Sequence, residues 1–512
     1  MNRIDWSGLL AGAEVIGAPP AEVSGVCYDS RAVTPGSLFA AVPGAMPPLS
    51  RDGHDFIAQA LDRGAAVVVV QADHRRQWEA LAKSGRAAFI AVEDTRPALA
   101  TVAAAFYGFP ARRLKTVGVT GTDGKTTTVH LIDAVLEAGG LSTGFLSSVE
   151  LKADDGPQLN ATHMTTLQSP EVQALLAEMV AAGRDCAVVE ASSHGLALRR
   201  VDGCEFDIAV FTTLSSDHLD FHGTPDEYLA AKGCLFSMLD EGVDKGVAKT
   251  AILNADEPAS AYLRSCTGAR AITYGIEGEA DIRAEDIEFE GLRSSFTVVG
   301  PFGRLHAQIP LSGRHSVYDA LAAAATGLAL GVTPEAIVSG LAGFRGVPGR
   351  MEVIDCGQPF RVIVDIASTA EALRRVLGVL RPLTARRLWV VFGCAGERDP
   401  ARRDGMGRAA GELADFAVLT NEDPRTEDPD AIIDGITQGL AEAGRREGSD
   451  FVRIVDRRQA LRYAFEQAQA GDTVLLAGKG SEQSIVIGRE HIPWDERRVA
   501  RELLRELYLE AK

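Results

Sequence analysis

The run Val117-Gly-Val-Thr-Gly121-Thr-Asp123-Gly124-Lys125-Thr126-Thr127-Thr128 constrains the fold of this chain more than any other segment. It opens as a β-branched strand, turns through glycines and continues as a helix. In such a loop, glycines let backbone N–H groups turn toward phosphate oxygens, and the helix N-terminus adds positive potential. Lys125 is placed to neutralise terminal phosphates, and a threonine hydroxyl can ligate Mg²⁺. The spacing departs from G-x-x-x-x-G-K-[ST], because Val119 holds the first glycine's place and Gly118 comes one residue early. Read alone, the run could be a glycine-rich turn with an exposed lysine; the flanking strand and helix select the phosphate loop, with ATP as ligand. The loop by itself does not choose between kinase, motor and ligase.

Around it, short apolar runs alternate with helical stretches. Before residue 110, Ala65-Ala-Val-Val-Val-Val70 and the stretch from Phe56 to Arg63 predict a small α/β unit. Cys186–Glu190, Asp207–Leu214 and Thr250–Asn254 read as strands of a parallel sheet covered on both faces. Residues 280–312 alternate in short pieces, predicting an antiparallel meander, and a helix is expected from Ser316 to Leu330. Gly346-Val-Pro-Gly-Arg350 punctuates the chain like a hinge. After it, Val362–Asp365, Leu388–Phe392, Phe416–Thr420 and Thr473–Leu476 predict a second doubly wound α/β domain. A length of 512 residues fits three to four domains. The pattern divides it into three: 1–110, 111–348 with the central phosphate-loop sheet, and a Rossmann-like 349–512.

Composition excludes several partners. A net charge of −18 argues against a general nucleic-acid or anionic-membrane surface, so bound anions must be held by local chemistry. Seven scattered cysteines without a C-x-x-C pair read as reduced thiols and no zinc site. Met1-Asn-Arg-Ile-Asp-Trp6 lacks the cationic and apolar regions of a signal peptide, and no run is long enough to span a membrane. The expectation is a cytoplasmic monomer acting on small molecules.

Further motifs extend the reading. Asp29-Ser30-Arg31, Pro35-Gly36 and Asp52–Ile57 precede the loop. Thr165-Thr166, Glu190-Ala-Ser-Ser-His194, Arg200-Val201, Phe211–Gly223 and Tyr228–Lys232 follow it. Pro348–Glu352, Gly393–Asp399, Glu422-Asp-Pro-Arg425 and Ala477–Gly480 come last. In this order, and over nearly the whole chain, they resemble the Mur ligase family, and within it the branch that adds the third residue of the peptidoglycan stem.

The resemblance implies a uridine-nucleotide domain, a central ATPase domain and a mobile domain bringing the amino acid. It implies that ATP, UDP-MurNAc-L-Ala-D-Glu and an amino acid give ADP, phosphate and the tripeptide through an acyl phosphate. Gly121, Thr122, Asp123, Gly124, Lys125, Thr126 and Thr127 would cradle the ATP phosphates. Ser316, Asp319 and Arg350 would complete the nucleotide site. Thr126, Glu190, His218 and Lys232 would serve Mg²⁺, the lysine as a carbamate, which turns a cation into an oxygen ligand. With Lys125, the last three of these form the expected catalytic set. Ser30, Thr165, Thr166, Ser192 and Arg200 would contact the UDP-sugar peptide. Arg398, Glu422, Asp423, Arg425, Gly478 and Glu482 would choose the amino acid. His194 and Arg199 read as packing or surface residues, and the alanine-rich helix from Tyr318 to Leu330 as core.

Several family positions are substituted. G-x-x-N-x-x-N reads Gly313-Arg-His-Ser316-Val-Tyr-Asp319, D-Y-A-H-T-P reads Asp365-Ile-Ala-Ser368-Thr-Ala370, and G-K-G-H-E reads Gly478-Lys-Gly-Ser481-Glu482. Serine keeps a donor but carries no charge. Where the diaminopimelate-adding branch has D-N-P-R, this chain has an added anion in Asp423, which favours a distal ammonium and hence lysine or ornithine. Arg425 argues for a distal carboxylate. Two other functions remain open: a divergent ligase joining another acid and amine in secondary metabolism, and a non-catalytic nucleotide-binding paralogue.

Overall fold

Runs of valine, isoleucine and alanine buried on both faces form the strands of three parallel-rich sheets, as the sequence pattern requires. The computed structural model describes residues 4–45, 51–154, 156–162, 164–215 and 217–508. The Met1–Arg3 start and Ser216 of the Phe211–Gly223 motif lie outside them. Contacts divide the chain into two compact units: 1–287 with 296–308 and 315–344, and 345–512 with 288–295 and 309–314.

The first unit contains two sheets. The smaller is ordered Glu14–Ile16, Ala88–Val92, Val67–Gln71, Leu38–Ala40, Val26–Cys27, with only the first pair antiparallel. Alternation along its strands sorts the faces: Val68, Val70 and Phe89 pack with Ile57 and Trp78, while Val67, Val69 and Ile90 pack under Ala98, Leu99 and Val102 of the Thr95–Phe106 helix.

The larger sheet carries seven parallel strands in the order Ile282–Glu290, Arg270–Gly275, Thr250–Asn254, Ile208–Phe211, Lys115–Thr120, Cys186–Glu190, Thr143–Leu146. Glu150–Lys152 and Gln158–Leu159 add antiparallel at its edge. After Lys115–Thr120 the chain first builds strands on one side, then crosses to Ile208–Phe211 on the other. That reversal opens a crevice at the strands' C-terminal ends, where ligands of open α/β sheets bind. Gly118 is explained by packing: a Cβ there would meet Leu235 Cδ1 at 2.6 Å. Ile282–Glu290, Arg293–Gly300 and Gly303–Ile309 follow one another through two-residue connections, the form of the expected meander, and the next helix spans Arg314–Ala329.

The second unit is ordered Glu352–Ile354, Arg361–Asp365, Thr473–Ala477, Leu388–Phe392, Phe416–Leu419, Phe451–Arg453, antiparallel only at its first pair. Apolar clusters cover both faces, one built on Leu373, Met406 and Ile436, the other on Ala460, Phe465 and Leu503. The expected strands all form to within two residues at their starts and three at their ends, since periodicity fixes an element better than its ends. No helix among the described residues is long and apolar enough to cross a membrane.

A charged tie anchors the entry to the central sheet. The fully buried Asp207 carboxylate lies 2.7 Å from Lys245 Nζ and 3.0 Å from Lys249 Nζ, and accepts the Thr116 N–H at 2.8 Å. Lys245 Nζ also donates to the carbonyls of Ala111, Leu114 and Glu205. Truncating one partner strands a buried charge, so Asp207→Ala is expected to lower stability by about 3–5 kcal/mol, measured by denaturant unfolding of the first unit.

Candidate active site

The phosphate loop closes on its own lysine. Lys125 Nζ donates to the Gly121 carbonyl at 3.2 Å and to that of Thr122 at 2.9 Å. Gly121 has φ +152, and a side chain there would strike Thr212 Oγ1. Gly124, at φ +81, precedes the Lys125–Ala138 helix; a Cβ on it would overlap Asp319 Oδ1, which also accepts from Thr128 Oγ1 at 3.2 Å. Asp319 therefore braces the loop from behind. Thr122 N donates to the Thr213 carbonyl, and Asp123 N to Thr213 Oγ1, tying the loop to the end of the neighbouring strand. Thr127 is half-buried on the first helical turn, and Ser316 is buried in the same helix as Asp319.

Glu190 ends its strand with a buried carboxylate. Thr126 Oγ1 donates toward its two oxygens at 3.1 and 3.0 Å, and Ser148 N donates to Oε2 at 2.8 Å. Hydroxyl and carboxylate oxygens at a helix N-terminus are hard ligands of the kind Mg²⁺ takes. Behind them, Thr166 Oγ1 donates to the Glu190 carbonyl and accepts from Ser192 N, while Arg200 donates to the Thr166 carbonyl at 3.1 Å. Ser192 Oγ caps the next short helix by accepting from Gly195 N. Thr165 is half-buried beside this network and takes no part in it.

Lys232 is fully buried. Its Nζ donates to the Gly121 carbonyl at 2.7 Å and lies 4.2 Å from the ring centroid of Tyr228, one helical turn earlier. Tyr228 OH meets Thr122 Oγ1 at 3.0 Å. Burial, reinforced by Lys125, holds the Lys232 ammonium well below its ordinary range. Among the described residues, no carboxylate is within ion-pair distance of it. His218 sits in left-handed backbone at φ 54 with Nε2 3.3 Å from Asp217 Oδ2. Its ring lies 4.6 Å from that of His194, which in turn packs on Phe221 and His222. His194 is thus part of the site wall, not an isolated surface residue, and burial pushes its imidazole down to about 4. Arg199 pairs with Asp202 at 2.8 Å, as a surface reading requires.

A cavity of 730 Å³ in the first unit is lined by Tyr28, Ser30, Arg31, Arg96, Gln168 and Arg200, among others. Ser30 Oγ donates to Gln59 Oε1, and Tyr28 OH to Glu171 Oε1. The arginines suit it to an anionic ligand, and Ser30 and Arg200, far apart in sequence, line it together.

In the second unit, Glu422, Asp423, Gly478 and Glu482 converge at strand ends. Lys479, fully buried, pairs with Asp423 Oδ1 at 2.8 Å and Glu482 Oε2 at 2.5 Å. Asp423 Oδ1 also accepts from Val486 N. The added anion of Asp423 is therefore matched by a cation, which weakens the repulsion expected of it. Glu422 Oε2 is buried without a hydrogen-bond partner and would lie 3.0 Å from a Cβ on Gly478. Arg425 is half-buried at φ 52, and its guanidinium has no ion-pair partner among the described residues. Arg398 is exposed on its loop, and Arg350 lies near enough to Asp365 to favour that carboxylate's charge.

Ser148 contacts the site and was not singled out from the sequence, while Tyr228, Thr213 and His194 stood inside the named motifs without a role in the site assigned to them. Two signals could have found them: Tyr228 stands four residues before Lys232 on one helix face, and Ser148 and Thr213 follow the C-terminal ends of parallel strands.

A phosphate loop, a buried carboxylate beside a helix N-terminus, a basic cavity and a second α/β unit define a nucleotide-using enzyme of several parts. Comparison with known proteins gives the family. The chain matches "Mur ligase family, catalytic domain" over residues 22–107, "Mur ligase middle domain" over 119–327 and "Mur ligase, glutamate ligase domain" over 349–480. It is 46% identical over 498 residues, 95% of each chain, to a UDP-N-acetylmuramyl-tripeptide synthetase of Roseiflexus sp.. It is 43% identical over 480 residues, 93% of this chain and 94% of the other, to a UDP-N-acetylmuramoyl-L-alanyl-D-glutamate--2,6-diaminopimelate ligase of Geobacillus thermodenitrificans. A solved structure of a ligase of that second name superposes with TM-score 0.65 at 29% identity over 99% of both chains. The chain belongs to the Mur ligase family.

Burial pushes the Glu422 carboxyl up from 4.5 to about 7, partly offset by Lys479. The native state thus keeps a proton that the unfolded chain releases near 4.5, so this group's contribution to stability falls as pH rises from 4.5 to about 7. Removing it with Glu422→Gln is expected to stabilise the second unit at about pH 8 relative to pH 5 by roughly 3 kcal/mol more than wild type. Urea unfolding at both pH values checks this.

Proposed function

We propose that this protein is an ATP-dependent ligase that joins a diamino acid to UDP-MurNAc-L-Ala-D-Glu in the synthesis of peptidoglycan precursors. The observation that carries the reading is the convergence of Lys125, Thr126, Glu190 and Lys232 on one crevice, within a chain of this family. The D-Glu side-chain carboxylate attacks the γ-phosphorus of ATP, and ADP leaves. The amine of the incoming amino acid then attacks the acyl carbon; phosphate departs, and the amine's proton is lost. Hydroxide is a poor leaving group and phosphate a good one, which is why ATP is spent.

Each residue has a task in this scheme. The loop amides of Gly121–Thr127 and the Lys125 ammonium hold the phosphates and stabilise charge growing on the transferred group. Arg200, with Ser30 and the other residues of the basic cavity, holds the nucleotide-sugar end. Thr126 and Glu190 would hold one Mg²⁺, His218 and a carbamoylated Lys232 a second. When bound, Mg²⁺ neutralises charge on the triphosphate. A carbamate fits Lys232 because a neutral amine is the form that reacts with CO₂. The product keeps one N–H on Nζ to donate to the Gly121 carbonyl.

Three carboxylates, Glu422, Asp423 and Glu482, face one buried lysine. The remaining negative character favours a distal ammonium, which points to lysine or ornithine, while the unpaired Arg425 can accept the distal carboxylate of diaminopimelate. We place the domain boundaries near residues 110 and 348. The reaction is set in the cytoplasm, where all seven cysteines stay as the free thiols they form here, and the protein acts as a monomer.

Phosphate release with UDP-MurNAc-L-Ala-D-Glu and ATP is expected to depend on lysine, ornithine or meso-diaminopimelate. Release with none of the three sinks the proposal. Lys232→Ala is expected to lower the rate by about 100-fold or more. Incubation with ¹³C-bicarbonate should give a carbamate carbon signal by NMR in the wild type and none in Lys232→Ala; an unchanged spectrum overturns the carbamate.

A further inference from the structure

The two loops that carry Glu422 and Gly478 leave from strands on either side of Leu388–Phe392, so the sheet ladder does not join them directly. Lys479 joins their tips by pairing with Asp423, and a second side chain joins their roots. Arg457, at the start of the Arg457–Gln467 helix, donates from Nη1 to the carbonyl of Asn421 at 2.9 Å and from Nη2 to the carbonyl of Ala477 at 2.8 Å. These carbonyls immediately precede Glu422 and Gly478. The same guanidinium makes a bidentate pair with Glu496, Nε to Oε2 at 2.9 Å and Nη2 to Oε1 at 2.8 Å. Trp494 Nε1 fixes Glu496 in turn, donating to Oε2 at 2.6 Å. Both charged side chains are essentially inaccessible, at 1% and 0% exposure.

A buried ion pair is weak ground for stability alone, because desolvation offsets its attraction. Its geometry is another matter. Arginine's planar fork can span two backbone carbonyls while held by a carboxylate, and a lysine ammonium cannot hold that arrangement. We propose that Arg457, oriented by Glu496 and Trp494, is a positioning residue that sets the spacing of the Glu422–Arg425 and Gly478–Glu482 loops, and so tunes affinity for the amino acid. It touches no substrate. The inference rests on the proposed function, which assigns these two loops to the amino acid.

The test uses the full-length enzyme. In Arg457→Lys, the KM for the active amino acid is expected to rise about tenfold or more, the scale of a displacement near 1 Å, with the KM values for ATP and UDP-MurNAc-L-Ala-D-Glu within about twofold of wild type. An unchanged amino-acid KM, or equal changes in all three, overturns the proposal. Because a charge variant could misfold, the paired Arg457→Met with Glu496→Leu replaces the ion pair by apolar groups and is followed by hydrogen exchange. Faster exchange at residues 421–425 and 478–482, with the sheet strands unaltered, supports the clamp; unaltered loops refute it. Exchange needs no turnover, so a wild-type enzyme inactive with every amino acid would reject the proposed reaction and leave this structural test decisive.

Discussion

Two lysines share one carbonyl. Lys125 Nζ and Lys232 Nζ lie 3.2 and 2.7 Å from the Gly121 oxygen, so they are at most 5.9 Å apart. A single carbonyl dipole cannot offset two ammonium charges in a low-dielectric crevice. Burial bears harder on one of them: Lys232 is fully enclosed and Lys125 is not, and this burial, reinforced by Lys125, pushes the Lys232 ammonium well below its ordinary range. Gly121 is what brings them together, since any side chain there would collide with Thr212.

Several contacts in the first unit hold that oxygen in place. The loop it belongs to is pinned by Thr213 on one side and by Asp319 behind Gly124 on the other. Its strand begins at the Asp207–Lys245 tie, where one lysine collects three carbonyls and a carboxylate. The reversal in strand order then sets Glu190 and the 212–215 segment on opposite sides of the loop. Rigid strands carry the groups that must not move, and the turns between them need only the right end points.

The sequence was most legible where chemistry and periodicity coincide. Strand–loop–helix around Gly121 and Lys125 announces both the element and its ligand, and an apolar run ending in Glu190 marks a strand whose last residue faces the crevice. It was least legible where function depends on a neighbour remote in the chain. Nothing near Asp423 tells that Lys479 neutralises it. Asp319 stands where the family carries an adenine-facing amide, yet here its carboxylate supports Gly124, a contact 195 residues away that only the fold creates. His194 read as packing or surface with no partner named, because its partners, His218 and Phe221, lie in a separate segment of the chain.

The second unit shows how a substitution that looks decisive in sequence becomes one charge in a balance. Exchanging an amide for Asp423 adds an anion, but Lys479, shared with Glu482, absorbs it. The remaining tension falls on Glu422, whose second oxygen has no hydrogen bond and whose proton is retained to about pH 7. An unsatisfied buried acceptor costs free energy until a donor arrives. Under the proposed function an incoming ammonium would be such a donor, and it would draw the Glu422 carboxyl toward its charged form at the moment of binding. Selectivity would then belong to the set of Glu422, Lys479, Asp423 and Glu482 held at a fixed spacing, with no single member of it specifying the amino acid.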